Sequence, residues 1–164
     1  TLGQSSGFQS WQYRLIEYSV GNRNLAMLKP HAHRPDLMAK LEAELARPTL
    51  YDEALRHLAR QGLPVPQDVL TRDLRQAWTP HEGVQAMWEV IYRDPTAHWQ
   101  AYELAEKLVD FEDYFRRWRF NHLTTVARVI GIKRGTGGTS GISYLRRMLD
   151  VELFPELWSV RTTL

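Results

Sequence analysis

The feature that most constrains the fold is the longest stretch free of internal proline and glycine, which runs from Asp94-Pro95 to Gly131. One series of residues in it is spaced by three and four positions in alternation: Leu108, Phe111, Phe115, Trp118, His122, Thr125 and Val129. Residues with this spacing lie on one side of an α-helix. We therefore predict one long central helix with an apolar stripe that contains His122. Polar residues such as Asp113, Arg116 and Arg119 are expected beside or opposite the stripe.

Helical periodicity and capping motifs recur along the chain, whereas alternating strand patterns are almost absent, so the predicted class is all-α, a helical bundle. The sequence also predicts shorter helices. They are one from the Ser6–Gln9 capping box to Gly21, one over Asp36–Ala46, one from the Thr49–Asp52 capping box to Gly62, a weaker one over Pro66–Gln76, one that begins at Thr79-Pro80, a short one from Ile142 to Asp150, and the C-terminal FPELWSVRTTL. The length of 164 residues suits one core. We expect residues 1–164 to form a single domain.

The composition excludes several classes of function. The chain has no cysteine, which removes thiolate metal sites and disulfides and fits a cytoplasmic protein. Its 21 basic and 19 acidic residues are nearly balanced and form no polybasic block, so no nucleic-acid partner is expected. No apolar run approaches the ~20 residues of a membrane span, so no membrane partner is expected.

His122 is the first candidate for chemistry, because its imidazole lies on the apolar stripe between Trp118 and Val126. One interpretation is a core histidine that bonds to a nearby carbonyl. The other is an axial ligand to haem iron, since a haem needs a basic nitrogen and a wall of apolar side chains. The pair His31 and His33, beside two prolines, is interpreted as part of a solvated loop.

The segment GTGGTSG at residues 135–141 is the second candidate. A P-loop would place its lysine after the glycines and a strand before them, but here Lys133 precedes the glycines and follows a predicted helix. A flexible tether and a flap over a small ligand both remain open; the hydroxyl groups of Thr136 and Thr139 suit a flap. Ser6 is a third candidate, as an N-cap or as part of an anion site at a helix N-terminus.

Two long segments of the sequence resemble the tryptophan 2,3-dioxygenase family. They are SSGFQSWQYRLIEYSVGNRN at the start and WRFNHLTTVARVIGIKRGTGGTSGISYLRRMLDVELFPELWSVRTTL at the end. The resemblance covers essentially the whole chain. It depends on the motifs FQSxQYR, RxxH and KRGTGGxSG together, which are more specific than any one of them. Members of this family are haem enzymes that open the indole ring of L-tryptophan with O2.

The resemblance implies haem b as cofactor, with His122 as its proximal iron ligand and Trp118 and Val126 beside it. Ser6 and Gly7 would lie at the haem edge near the propionates. No residue of this chain is expected to act as a catalytic acid or base.

For the substrate, the resemblance implies that Thr136 binds the ammonium and carboxylate groups of L-tryptophan, with Leu2 and Ser6 at the substrate pocket. It also implies a homotetramer. Family members carry an N-terminal region with a distal-side histidine and a carboxylate-binding arginine, which this sequence does not contain. We therefore expect an N-terminally incomplete chain that is inactive alone; the alternative function is a non-catalytic helical interaction module.

Overall fold

The structure, a computed structural model, describes residues 10–130, 147 and 150–164, and only the helical backbone of Val126, Ala127 and Ile130. Every regular element in these ranges is helical, which confirms the predicted all-α class. The elements are α1 (Trp11–Val20), a 3₁₀ helix (Leu25–His31), α2 (Pro35–Leu45), α3 (Leu50–Arg60), α4 (Gln67–Leu70), α5 (Glu82–Arg93), α6 (Trp99–Ile130) and α7 (Pro155–Thr163).

Capping side chains explain where α1 and α3 begin. At α1 the hydroxyl of Ser10 accepts a hydrogen bond from the backbone N–H three residues later, so the N-cap is Ser10 and the predicted start at Ser6 is wrong. At α3, Thr49 and Asp52 each accept from the other's backbone N–H, which confirms the predicted capping box. Gly21 ends α1 as predicted, at φ 116°, a conformation that glycine adopts without steric cost.

The starts of α5 and α6 also differ from the prediction. His81 caps α5 by accepting from the backbone N–H two residues later at 3.0 Å, so the helix begins at Glu82 and not at Thr79-Pro80. Asp94 closes a separate turn by accepting from Ala97 N at 3.1 Å, and α6 begins only after that turn, at Trp99. The weak helix predicted over Pro66–Gln76 is the single turn α4.

The main core lies where α3, α5, α7 and the first half of α6 pack together. Its fully buried side chains include Leu55, Leu58, Met87, Trp88, Ile91, Ala105, Phe154 and Leu157. The Trp88 indole N–H donates to the Tyr51 hydroxyl at 2.9 Å, so the polar atom of this large ring is satisfied within the core.

A smaller core joins α1, the 3₁₀ helix and α2 through Tyr18, Leu28, Leu41 and Leu45. The buried guanidinium of Arg23 closes one side of it. This group donates to five backbone carbonyl oxygens, those of Tyr18, Glu44, Leu45, Arg47 and Leu74. One side chain therefore connects the end of α1 to the end of α2 and to the loop after α4.

The long helix α6 is fixed by its first half. Ala101, Ala105 and Leu108 are buried in the main core. One turn later, the buried carboxylate of Glu112 accepts from the backbone N–H groups of Leu153 and Phe154 and from the Trp158 indole. The residues after Glu112 continue the same helix, so a side chain on them is positioned by a rigid element. No helix in the described ranges is both long and apolar enough to cross a membrane.

Candidate functional site

Four rings lie in sequence along one side of α6. Phe111 and Phe115 have centroids 6.1 Å apart, Phe115 and Trp118 6.0 Å, and Trp118 and His122 5.9 Å, with interplanar angles of 9°, 20° and 27°. The spacing of four, three and four residues brings these side chains onto one side of the helix. We call this set, Phe111, Phe115, Trp118 and His122, the His122 face.

Helix α1 packs against this face through its first turn. The Tyr13 ring is buried and stacks on Trp118, with centroids 5.7 Å apart and an interplanar angle of 26°. Since Ser10 caps α1 just before Tyr13, the N-terminal end of α1 lies beside the His122 face.

The exposure of the His122 face changes along the helix. Phe115 is buried and His122 is half-buried, but Phe111 is 36% and Trp118 46% exposed. The prediction of one apolar stripe is correct in position, yet the stripe is not continuous core, because Val129 at its end is 78% exposed. Within the described residues, large rings and an imidazole thus share an open apolar surface. Such a surface suits a flat apolar partner.

Charged side chains are buried close to Tyr13. Arg14 and Glu17, one turn apart on α1, form a buried ion pair. The pKa of the neighbouring Tyr13 hydroxyl is raised, chiefly by burial and then by the negative charge of Glu17, while the positive charges of Arg119 and Arg14 oppose the rise. The Tyr13 hydroxyl is therefore neutral and able to donate a hydrogen bond over the physiological pH range.

Arg119, predicted among the polar residues beside or opposite the stripe, lies beside it, but the sequence pattern did not predict its burial. It is only 2% exposed, and its guanidinium carbon lies 4.7 Å from the centroid of the Phe115 ring. A helical residue four positions after Phe115 lies on the same side, so the burial of Phe115 extends to Arg119. Its three guanidinium nitrogens have no hydrogen-bond acceptor in the described part of the chain.

His31 is not in a solvated loop. It ends the 3₁₀ helix and is buried, and its pKa is lowered by burial first and then by the positive charges of Arg14 and His33. His33 is exposed, as predicted. Among the described residues, no three His, Cys, Asp or Glu side chains are close enough to hold a metal ion.

Two open clefts lie outside the His122 face. One, of about 430 Å³, separates the end of α3 from the start of α6 and contains His57, His98 and Trp99. The other, of about 420 Å³, lies beside Arg14 and Glu17.

The structure brings two of the predicted site residues, Trp118 and His122, into contact on one helix face. Val126 follows one turn later on α6, with only its backbone described. The other predicted site residues lie outside the described residues. They are Leu2, Ser6, Gly7 and Thr136, together with the segment 135–141.

Sequence reasoning missed the buried charged side chains near the His122 face, Arg14, Glu17 and Arg119. A signal for two of them was present, since Arg14 ends the FQSxQYR motif and Arg119 begins RxxH. Their positions in specific motifs, rather than their charge, were the useful evidence.

Comparisons with known proteins give a consistent result. A sequence profile of the family described as tryptophan 2,3-dioxygenase matches residues 80–164, just over half of the chain. Over 163 residues, 99% of this chain, it is 69% identical to the tryptophan 2,3-dioxygenase of Bradyrhizobium diazoefficiens and 64% identical to that of Bradyrhizobium sp. strain BTAi1. It is 61% identical to tryptophan 2,3-dioxygenase 1 of Ralstonia nicotianae over the same length. The chain spans only 55–58% of the length of these relatives.

Proposed function

Because this chain belongs to the tryptophan 2,3-dioxygenase family, we propose that it takes part in haem-dependent insertion of both atoms of O2 across the indole C2–C3 bond of L-tryptophan. The product is N-formyl-L-kynurenine, and the reaction is the first step of tryptophan catabolism by the kynurenine route. The observation that carries this proposal is the His122 face, where an imidazole lies at the end of a row of stacked rings on a rigid helix.

The residues of this face fit the proximal side of a haem. A haem needs one strong axial ligand and a broad apolar contact, and the protein tunes its iron through that ligand. In a chain without cysteine, His122 would supply the nitrogen, and the exposed Trp118 ring stacked beside it would supply apolar area. When bound, the haem iron supplies the O2 chemistry, which no amino-acid side chain performs.

The rest of the chain holds this ligand in place. Because α6 is buried at Ala105 and Leu108 and is bonded through Glu112 to the segment before α7, the position of His122 is set by the main core. The Tyr13 ring fixes Trp118 from the side of α1. Precise positioning of a reactive centre contributes several kcal/mol to catalysis in general, and a rigid helix provides it better than a loop does.

The substrate contacts proposed from the family resemblance are Thr136 for the ammonium and carboxylate groups, and Leu2 and Ser6 at the pocket. Ser6 and Gly7 are also proposed at the haem edge, and Val126 beside the haem. In this proposal the 164 residues act as one domain of a cytoplasmic homotetramer.

The test is haem retention by His122→Ala in the complete protein. We expect the variant to lose haem or to bind it with an altered ligand-field spectrum, because the proposed bond between protein and iron is removed. Added imidazole should restore part of the wild-type Soret spectrum by occupying the vacated position. His57→Ala, which removes an exposed histidine from α3, is the matched control. Stoichiometric haem with an unchanged spectrum in His122→Ala would remove His122 from this role.

A further inference from the structure

Arg119 is a buried charge that the described fold does not neutralise. Its side chain is almost completely removed from solvent, and none of its three guanidinium nitrogens meets an acceptor among the described residues. The guanidinium carbon lies 4.7 Å from the centroid of the Phe115 ring, a contact that provides no oxygen acceptor for the N–H groups. Buried charges are normally paired, because removal of an ion from water is costly.

The buried carboxylates of α1 and α6, Glu17 and Glu112, already have other partners. Glu17 is bonded by Arg14 and by the Asn22 side-chain amide at 3.2 Å. Glu112 accepts from two backbone N–H groups and from the Trp158 indole, and it lies two helical turns before Arg119. Arg119 forms no salt bridge within 4.0 Å to any carboxylate of the described residues. The fold therefore contains a buried cation with no hydrogen-bond acceptor among its described residues.

We propose that Arg119 binds a carboxylate, and that this carboxylate is a propionate of the haem held by His122. Arg119 precedes His122 by one turn of α6, about 4.5 Å along the helix axis. It shares the side of the helix that carries the rings of the His122 face. A haem ligated at His122 carries two carboxylates on its edge, and a guanidinium matches a carboxylate with two parallel hydrogen bonds. This inference rests on the proposed haem function and adds a residue that selects the cofactor by its charge.

The experiment compares haemin with haemin dimethyl ester, whose propionates are esterified and uncharged. Both are titrated into the apo form of the complete protein, as wild type, Arg119→Met and Arg117→Met. Arg117 is the matched control, since it is 68% exposed on the same helix and pairs with Asp113. We expect Arg119→Met to bind haemin about 10- to 100-fold more weakly than wild type, as for the loss of a hydrogen-bonded charge pair. We expect it to bind the dimethyl ester as wild type does.

The thermal stability of the apo forms is the second measurement. Methionine fills a similar volume without charge, so Arg119→Met should melt at the wild-type temperature or above it, because an unneutralised buried charge is removed. A lower melting temperature would show that a carboxylate of the polypeptide itself pairs with Arg119, and would overturn the propionate assignment. Equal weakening of haemin and ester binding, or no weakening of either, would also overturn it.

Failure of this inference and failure of the proposed function give different results. If wild type binds haemin through His122, with a spectrum lost in His122→Ala, and Arg119→Met keeps the full preference for haemin over the ester, only the role of Arg119 fails. If wild type binds neither compound, the haem site itself fails and the assignment of Arg119 fails with it.

Discussion

Replacement of Arg23 with alanine should be among the most destabilising single substitutions in this chain. Its guanidinium donates to five backbone carbonyls, with distances of 2.8 Å to Leu45 O and 2.6 Å to Arg47 O among them. Burial lowers the pKa of this arginine, because removal of a charge from water is costly. The acceptors are the last carbonyls of α1 and α2 and a carbonyl of the loop after α4, groups that a helix leaves unbonded.

The magnitude follows from two opposing contributions. Hydrogen bonds from a charged donor contribute about 1.5 kcal/mol each or more, so five would contribute about 7 kcal/mol before any penalty. Burial of the charge offsets several kcal/mol of this. We therefore expect Arg23→Ala to lower the free energy of unfolding by about 3–5 kcal/mol. Arg23→Lys should lose about half as much, because an ammonium group is one compact donor site and cannot reach carbonyls on three segments.

The assay is equilibrium urea unfolding of the apoprotein, followed by helical circular dichroism at fixed protein concentration. With an m-value of about 2 kcal/mol/M, the expected loss lowers the midpoint by about 1.5–2.5 M. Arg60→Ala, which removes an exposed arginine from the end of α3, is the control. The argument that Arg23 connects these three segments is refuted if the free energy of unfolding of Arg23→Ala lies within about 1 kcal/mol of the wild-type value. It is also refuted if Arg23→Ala and Arg60→Ala have the same free energy of unfolding.

Two further predictions concern the core and the proposed substrate site. The pKa of the buried Glu156 is raised, chiefly by burial, although hydrogen bonds that include one from the Trp78 indole at 2.7 Å oppose the rise. The contribution of Glu156 to stability is therefore fully present below the pKa that it has in the unfolded chain. This contribution is lost as the pH rises through the pKa of Glu156 in the folded state. The stability of wild type relative to Glu156→Gln should therefore increase as the pH falls from 7 to 5, with Glu53→Gln as an exposed control in the same urea series; a constant difference would contradict it. For the glycine segment, Thr136→Ala should lower kcat/KM about 10- to 100-fold with haem still bound, as for the loss of a hydrogen bond to a charged group. Thr139→Ala should change it less, and equal small effects on tryptophan turnover would favour the tether.

Local signals predicted the parts of the fold that depend on neighbouring residues. The capping box of α3 and the glycine that ends α1 were predictable, because each depends on residues within a few positions. The existence of one long helix α6 was predictable from its uninterrupted periodicity, although its start was not. The start of α5 was not. Glu156, far along the chain, accepts from Trp78 and from the backbone N–H of His81, and this long-range contact accompanies a non-helical chain before Glu82.

The candidate site was predictable in its apolar part and not in its charged part. The spacing of Phe115, Trp118 and His122 placed them on one face, as the structure confirms. The burial of Arg119 and Glu17 depends on how α1 packs against α6, which periodicity cannot show. The role of Thr136 stays a prediction from the family resemblance, since it lies outside the described residues.

Two of the three buried arginines in the described residues, Arg23 and Arg119, show how a structural charge differs from a functional one. Both are about 2% exposed. Arg23 donates to five carbonyls, so its charge is stabilised by the ends of the elements it joins, and its removal should lower the stability of the fold. Arg119 meets a ring and no acceptor in the described residues, so its charge gives the fold no comparable stabilisation. A buried charge without an acceptor, one turn from His122, lowers the stability of the fold at that position. This loss is explained if an anionic group of the cofactor forms an ion pair with Arg119.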